Sequence, residues 1–199
     1  MARWARIAGI IALLVTFITG CSILGSNGVE PAKGNQSQEN PPFTLLLNRE
    51  ITTVDSHYDP QIVQGDLYHH ISVYAANGRQ VALDVAKQAV LFSAYWCPHC
   101  QRTLVLLDEH QLSMKTLPVI VSTGFAPGTS LQTAKRLTAE EKRGLHLSGM
   151  TVYYLLGSGF RQFVSEGFPT LAYESKGRVN LLVGEHTLQV WQHVFSNNY

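Results

Sequence analysis

Two cysteines separated by two residues are the feature of this sequence with the clearest chemistry: residues 96–100 read Trp-Cys-Pro-His-Cys. A pair at this spacing makes and breaks a disulfide readily. A zinc site needs four ligands, and the chain has only one other cysteine, Cys21. We therefore interpret Cys97 and Cys100 as a redox-active pair, with an inert structural disulfide or part of a metal site as the alternatives.

The residues around the pair predict a strand before it and a helix after it. The apolar run 89–95 is typical of a buried strand, and leucines at 104, 107 and 112 have the spacing of one helix face. This order places Cys97 near the N-terminus of the helix.

That position favours the ionised form of Cys97. Unsatisfied backbone N–H groups and the positive end of the helix dipole stabilise a thiolate. Pro98 fits the first helical turn, because its missing N–H costs no hydrogen bond there. His99 adds a hydrogen bond or a positive charge. We expect a lowered pKa for Cys97 and a shielded, resolving role for Cys100, one turn into the helix.

The first 20 residues have the order of a secretory signal peptide. Basic Arg3 and Arg6 precede an apolar run over 7–18, which is too short to span a bilayer comfortably. Small residues directly before Cys21 resemble the bacterial lipobox. That resemblance implies cleavage before Cys21, a lipid on its thiol, and a protein anchored in the bacterial cell membrane that faces the extracytoplasmic space. The alternative is a signal cut elsewhere, with Cys21 as a stray or structural thiol.

Residues 21–42 predict a flexible tether, since they are rich in Gly, Asn, Gln, Ser, Glu and Pro and show no periodicity after Leu24. The rest of the 199-residue chain has the size of one domain. The formal net charge of +1 and the scattered basic residues give no reason to expect nucleic-acid binding. The 8 histidines are scattered too, and we expect neither a metal nor another cofactor. Export fits a pair that cycles through a disulfide.

Strand and helix signals alternate from residue 70 onwards. Asn77-Gly78 predicts a hairpin turn between strands at 71–74 and 80–83. Thr138-Ala-Glu-Glu141 predicts the capped start of a short helix that ends near Gly144. The other predicted elements are strands at 117–122, 151–156, 171–173 and 179–183, a helical stretch at 160–164, and a last helix from Thr187 with Leu188, Trp191 and Phe195 on one face. This order predicts an α/β fold, with a central mixed sheet flanked by helices.

These features together resemble the thioredoxin fold over about residues 70–195. The resemblance rests on Trp-Cys-x-x-Cys at a strand-to-helix junction, on Gly-Phe-Pro-Thr at 167–170, which is similar to the family's cis-proline loop, and on the terminal hairpin and helix. The first hairpin, and an extra strand and helix before the proline loop, look like the TlpA and ResA branch. The resemblance does not extend to residues 43–69, which we interpret as an N-terminal extension of the domain 70–199. Within this extension, residues 43–47 could add an edge strand to the sheet.

The resemblance implies catalytic roles for four residues. Cys97 would attack or be attacked, and Cys100 would resolve the mixed disulfide, with His99 acting on the thiolate. Pro169 would be cis and pack against the disulfide; the alternative is an ordinary trans proline at the start of a strand.

The resemblance also implies a substrate site and one departure from the family. The Phe168 backbone would pair with an extended substrate segment, Trp96 would cover the active site, and Thr170 would complete the contact. Thioredoxin and DsbA place a buried carboxylate where this chain has Leu91. Proton transfer to and from the resolving thiol must then use water or another group, for which Glu166 is a candidate.

Two lines of resemblance disagree about the direction of electron flow. Cys-Pro-His-Cys is the sequence of DsbA, which donates disulfides, whereas TlpA and ResA proteins mostly reduce them. Because Pro98 and His99 act directly on the thiolate, we expect an oxidase of exported thiol proteins that a membrane redox partner recycles. The alternatives are a reductase in cytochrome c maturation, and a lipoprotein that delivers copper, as Sco-type members of the wider fold do.

Overall fold

A computed structural model of the chain describes residues 39–50 and 53–197. The predicted signal peptide, Cys21 and nearly all of the predicted tether lie outside these residues. Within them, eight strands form one sheet in the spatial order β1-β8-β7-β4-β5-β6-β2-β3. No helix of the described residues is long and apolar enough to cross a membrane.

The strands are short, and three α-helices and three 3₁₀ helices connect them. The strands are β1 Gln61–Val63, β2 Ile71–Tyr74, β3 Gln80–Leu83, β4 Val90–Ser93, β5 Val119–Ser122, β6 Val152–Tyr154, β7 Thr170–Ser175 and β8 Arg178–Val183. The helices are α1 Pro98–Glu109, α2 Leu131–Gly144 and α3 Leu188–Asn197, and the 3₁₀ helices are Leu67–His69, Gln111–Ser113 and Gly157–Gln162.

The sheet is mixed, which confirms the predicted α/β class. Strands β4, β5 and β6 are parallel, and β7 runs antiparallel to β4. The predicted first hairpin is confirmed at the predicted residues, where β2 and β3 pair from Ile71↔Leu83 to Tyr74↔Gln80. The predicted extra strand and helix before the proline loop are present as β6 and the 3₁₀ helix that follows it.

Strand β4 is buried on both faces, which explains its uninterrupted apolar sequence. Leu91 packs with Leu104 of α1 and Trp191 of α3 in the core on one face. Phe92 points to the other face and packs with residues that follow the third 3₁₀ helix, among them Phe163. Both faces of the sheet are therefore covered, and β4 is held rigidly beneath α1.

The start of α2 differs from the prediction. The helix begins at Leu131, where the Ser130 hydroxyl caps it by accepting the Thr133 N–H at 3.1 Å. Thr138 lies inside the helix, and its hydroxyl is 2.8 Å from that of Ser122 on β5. A Thr-x-x-Glu pattern is therefore not a start signal here, because tertiary contacts give Thr138 another partner. The predicted end near Gly144 is confirmed.

Two further predictions about the edges of the domain are wrong. Residues 43–47 form no strand; β1 takes the sheet edge instead, with Ile62 opposite Asn180 of β8. Leu112 is 99% exposed, because α1 ends at Glu109 and the chain leaves the helix axis. Only the other two leucines of the predicted stripe lie in the core.

Candidate active site

Cys97 is the N-cap residue of α1, four residues after the end of β4. Its backbone is extended, with φ of −92° and ψ of 120°, and Pro98 occupies the first turn. The Cys97 N–H donates to the carbonyl of Ala94 at 2.9 Å, which closes the turn between strand and helix. The predicted position of the pair at a strand-to-helix junction is confirmed.

The two cysteines of the pair are described as free thiols, and they differ in exposure. Cys97 is 5% exposed and Cys100 is fully buried. The Cys100 sulfur accepts the backbone N–H of Ala94 at 3.4 Å, which ties it to the end of β4. One thiol is therefore reachable from solvent and the other is enclosed.

The surroundings shift the pKa values of the two thiols in opposite directions. The pKa of Cys97 is lowered to about 7, first by a hydrogen bond from the Cys100 thiol and then by the backbone N–H groups of Cys100 and His99, while burial opposes the shift. The charge of His99 contributes least. Burial, followed by the interaction with Cys97, raises the pKa of Cys100 well above its ordinary value.

The imidazole of His99 contacts an ion pair formed by Glu185 and Arg102. Its Nδ1 lies 2.9 Å from Oε2 of Glu185, a residue of the loop after β8, and 2.9 Å from Nη2 of Arg102. Arg102 also donates from Nη2 to Glu185 Oε2 at 2.6 Å and from Nε to Oε1 at 2.8 Å. Burial raises the pKa of Glu185, but the contacts with Arg102 and His99 outweigh it and lower the net value.

A segment of the N-terminal extension packs against the first turn of α1. Gln101 is fully buried, and its amide donates to the carbonyls of Thr44 and Tyr95, each at 2.9 Å, and accepts the Leu46 N–H at 2.7 Å. Arg102 donates to the carbonyl of Arg49 at 2.7 Å. Residues 44–49 thus brace the helix that carries both cysteines, instead of extending the sheet.

The proline loop meets the cysteine pair as expected. The Phe168–Pro169 peptide bond is cis. The carbonyl of Phe168 lies 3.9 Å from the Cys97 sulfur, and Phe168 packs against the buried cluster that contains Ala94 and both cysteines. The structure therefore brings the loop and Cys97 together, although 71 positions of sequence separate Phe168 from Cys97.

Trp96 borders a groove beside Cys97. The side chain is 40% exposed, and its Nε1–H donates to the carbonyl of Gly124 at 2.8 Å. Its ring packs edge to face against that of Phe168, with the ring centroids 5.8 Å apart. The groove has a volume of about 510 Å³ and is lined by Trp96, Phe125, Phe160, Phe168 and Arg161, among others. Trp96 and Phe168, which both lie close to Cys97, thus form part of the wall of an open, largely aromatic groove.

Two residues predicted for the site lie elsewhere. Thr170 is 1% exposed, and its hydroxyl donates to the Gly167 carbonyl at 2.6 Å, so its side chain shapes the loop and offers no surface to a substrate. Glu166 is exposed at the surface, where its carboxylate accepts a hydrogen bond from Gln61 at 2.7 Å. Glu166 therefore does not replace the carboxylate missing at Leu91, which is fully buried.

Gln101, Arg102 and Glu185 are parts of the site that the local sequence does not predict. A glutamine and an arginine early in a helix are usually solvated, and nothing in the local pattern indicates partners 55 and 83 positions away. The described residues contain no cluster of three or more His, Cys, Asp or Glu side chains arranged to hold a metal ion.

Comparisons with known proteins find similarity to solved structures. No protein-family profile and no curated protein matches the chain. The pneumococcal exposed lipoprotein thioredoxin of Streptococcus pneumoniae strain TIGR4 is 18% identical over 64% of this chain and 98% of its own, with a TM-score of 0.46. StoA from Bacillus subtilis is 15% identical over 65% of this chain and 98% of its own, with a TM-score of 0.45. At these values the function must be argued from the site itself.

Proposed function

We propose that this protein is an extracytoplasmic thiol-disulfide oxidoreductase that acts on exported proteins through Cys97 and Cys100. The supporting observation is the asymmetry of the pair. Cys97 lies at a helix N-terminus with a pKa of about 7, whereas Cys100 is fully buried with a raised pKa. One thiol is thus available as a thiolate that forms a mixed disulfide, and the other is protected until it resolves that disulfide.

The exchange has two steps in the reducing direction. The Cys97 thiolate attacks a substrate disulfide, a Cys97–substrate disulfide forms, and the first substrate sulfur leaves as a thiolate. Cys100 then loses its proton and attacks the Cys97 sulfur, so the internal disulfide forms and the second substrate sulfur leaves. Oxidation of a substrate dithiol is the reverse sequence. A membrane redox partner that recycles the pair belongs to the same proposal.

The pKa of Cys97 favours the reducing direction. At pH 7 a pKa of about 7 stabilises the reduced pair through the thiolate by only about 0.4 kcal/mol, or about 10 mV. DsbA, whose reactive cysteine has a pKa of about 3.5, and thioredoxin, with about 7, differ by about 150 mV in potential. Cys97 therefore falls in the thioredoxin range.

The surroundings of His99 agree with its small effect on this pKa. The carboxylate of Glu185 lies 2.9 Å from the imidazole and also contacts Arg102, so one negative charge stands beside two groups that can carry positive charge. Among the causes that lower the pKa of Cys97, the charge of His99 is the weakest. Disulfide donation, which the Cys-Pro-His-Cys sequence favours, is the second candidate.

Membrane anchoring is also part of the proposal and is supported by the sequence alone. Cleavage before Cys21 and acylation of its thiol would leave the domain on a tether at the outer face of the membrane. Mass spectrometry of the purified native protein tests this directly, since it should detect a diacylglyceryl group on Cys21. An N-terminus elsewhere with a free Cys21 thiol would contradict anchoring.

The exchange activity is tested by insulin reduction with protein in which Cys21→Ser removes the third thiol. We expect the parent to reduce insulin in the presence of dithiothreitol, Cys97→Ser to be inactive, and Cys100→Ser to accumulate a mixed disulfide on Cys97. Full activity of a folded Cys97→Ser variant would contradict the proposal. Tight stoichiometric copper binding by the reduced protein, without exchange activity, would favour the copper-delivering alternative.

A further inference from the structure

Glu141 of α2 is a carboxylic acid enclosed in the apolar layer between the sheet and the helices. It is 3% exposed, and it is the only buried Asp or Glu side chain among residues 39–50 and 53–197. Its Oε1 has no hydrogen-bond partner within that part of the chain. The adjacent Lys142 does not neutralise it, since its ammonium group donates to the Met150 carbonyl at 3.3 Å. A buried carboxyl oxygen without a hydrogen bond costs stability, which makes Glu141 a candidate for a functional role.

Buried hydroxyl groups lie between the region of Glu141 and the resolving thiol. Thr138, one turn earlier on α2, lines the same small cavity as Glu141, and its hydroxyl is 2.8 Å from that of Ser122. Ser122 is the direct partner of Ser93 in the parallel pair β5 and β4, so both side chains point to the same face of the sheet. Ser93 lies close enough to Cys100 to lower its pKa. All of these residues are at most 3% exposed.

The position of Glu141 relative to α1 supports the same connection. Glu141 and Leu104 line one small cavity between α1, α2 and β5. Leu104 follows Cys100 by four residues on α1, and residues at that spacing lie on the same face of a helix. The cavity is therefore about one helical turn from the buried thiol. The Ser93 hydroxyl makes no short hydrogen bond to another group of the described residues, and it lies beside Cys100, whose pKa its hydroxyl helps to lower.

We propose that Glu141 exchanges the proton of Cys100 during disulfide exchange, an inference that rests on the proposed oxidoreductase function. When Cys100 attacks the mixed disulfide, its S–H bond breaks and the proton passes by way of these buried hydroxyl groups to the Glu141 carboxylate. The sulfur electron pair forms the Cys97–Cys100 bond, and the substrate leaves as a thiolate. In the reverse direction the Glu141 carboxyl returns the proton to the departing Cys100 thiolate.

The electrostatics around Glu141 suit this exchange. Burial, and after it the charge of Cys97, raise the pKa of Glu141 to about 8, so the carboxyl can gain and lose a proton near neutral pH. Two ionisable groups interact with Glu141 through charge, Cys97 and Tyr95; burial, and much less the charge of Glu141, raises the pKa of Tyr95 to about 12. Lys142 lines the same cavity as Glu141. Because the thiolate of Cys97 raises this pKa, the charge of the pair and the proton on Glu141 are coupled.

The test separates the two steps with 5,5′-dithiobis(2-nitrobenzoate) as the disulfide, on protein carrying Cys21→Ser. Attack by Cys97 releases the first thionitrobenzoate, and attack by Cys100 on the mixed disulfide releases the second. We expect Glu141→Gln to slow the second release by about 100-fold at pH 7 while the first changes less than about twofold. Glu141→Asp should partly restore the second release. The control Glu140→Gln, at the neighbouring position where Glu140 pairs with Arg136, should leave both unchanged.

The outcomes distinguish the two proposals. A normal first release with an unaltered second release in folded Glu141→Gln would overturn the role of Glu141 alone. Absence of the first release in the parent would overturn the oxidoreductase function itself. If neither variant folds, infrared difference spectra of the reduced and oxidised parent decide: a protonated-carboxyl band that changes with the state of the pair is expected, and its absence would overturn the role.

Discussion

Replacing Cys100 by alanine tests whether the neighbouring thiol is the main cause of the lowered pKa of Cys97. The Cys100 thiol donates the hydrogen bond that lowers this pKa most, ahead of the two backbone N–H groups. Alanine removes the donor, whereas serine keeps an O–H at the same place. We therefore expect Cys100→Ala to raise the pKa of Cys97, and Cys100→Ser to leave it near that of the parent.

The size of the effect follows from the strength of a hydrogen bond to a charged group. Such a bond contributes about 1.5–3 kcal/mol, which corresponds to about 1–2 pKa units. From a parent value of about 7, Cys100→Ala should titrate between about 8 and 9, the latter being the ordinary value for a thiol. The thiolate fraction at pH 7 would then fall from about one half to about one tenth or less.

The pH dependence of alkylation by iodoacetamide measures this pKa. In both variants, with Cys21→Ser also present, Cys97 is the only thiol of the chain. The rate is followed by mass spectrometry at a series of pH values, and thermal unfolding confirms that both variants fold. Equal pKa values near 7 in Cys100→Ala and Cys100→Ser would refute the reasoning, because the helix N-terminus alone would then account for the shift.

Three further predictions concern charges around the pair. His99→Ala should raise the pKa of Cys97 by less than about half a unit, since the charge of His99 is the weakest of the causes that lower it; a rise of two units would contradict this ranking. Glu185→Gln removes a negative charge but leaves the neighbouring guanidinium, so it should lower the pKa of Cys97, by less than about half a unit. The pair should then become more oxidising by no more than about 10 mV in glutathione buffers, with exposed Glu166→Gln as an unchanged control. For Glu141, the raised pKa of about 8 means that the native state keeps a proton that the unfolded state releases above about pH 4.5. The contribution of Glu141 to the free energy of unfolding therefore falls as the pH rises from about 4.5 towards 8, by about 1.4 kcal/mol per pH unit. Urea unfolding should thus show Glu141→Gln gaining stability over the parent between pH 5 and pH 8, and parallel curves would contradict burial of the charge.

Local sequence patterns were sufficient for the parts of the fold that local physics determines. The Asn-Gly turn has φ of +87° at Gly78, a value that glycine adopts far more readily than other residues. The turn signal therefore predicts the first hairpin with the strand bounds that the structure has. The Cys-Pro at the helix start located the reactive thiol. These signals do not depend on distant partners, and they could be recognised without a structure.

The missing parts of the site depend on tertiary contacts. Glu185 reaches His99 across 86 positions of sequence, and Gln101 binds a segment 57 positions earlier. Glu141 lies in a stretch with the composition of an exposed helix, Ala-Glu-Glu-Lys, and only the packing of α2 against α1 and the sheet decides which of its two glutamates is buried. Sequence reasoning instead selected Glu166, which is close to the proline loop along the chain but lies at the surface.

The most direct test of the account is the reduction potential of the Cys97–Cys100 couple. Protein carrying Cys21→Ser is equilibrated in glutathione buffers at pH 7, and the reduced fraction is determined by thiol trapping. The account predicts a disulfide that forms reversibly with a potential nearer to that of thioredoxin, about −270 mV, than to that of DsbA, about −120 mV. A value near −120 mV would contradict the reducing direction argued from the pKa of Cys97. Failure to form the disulfide would contradict the redox function of the pair.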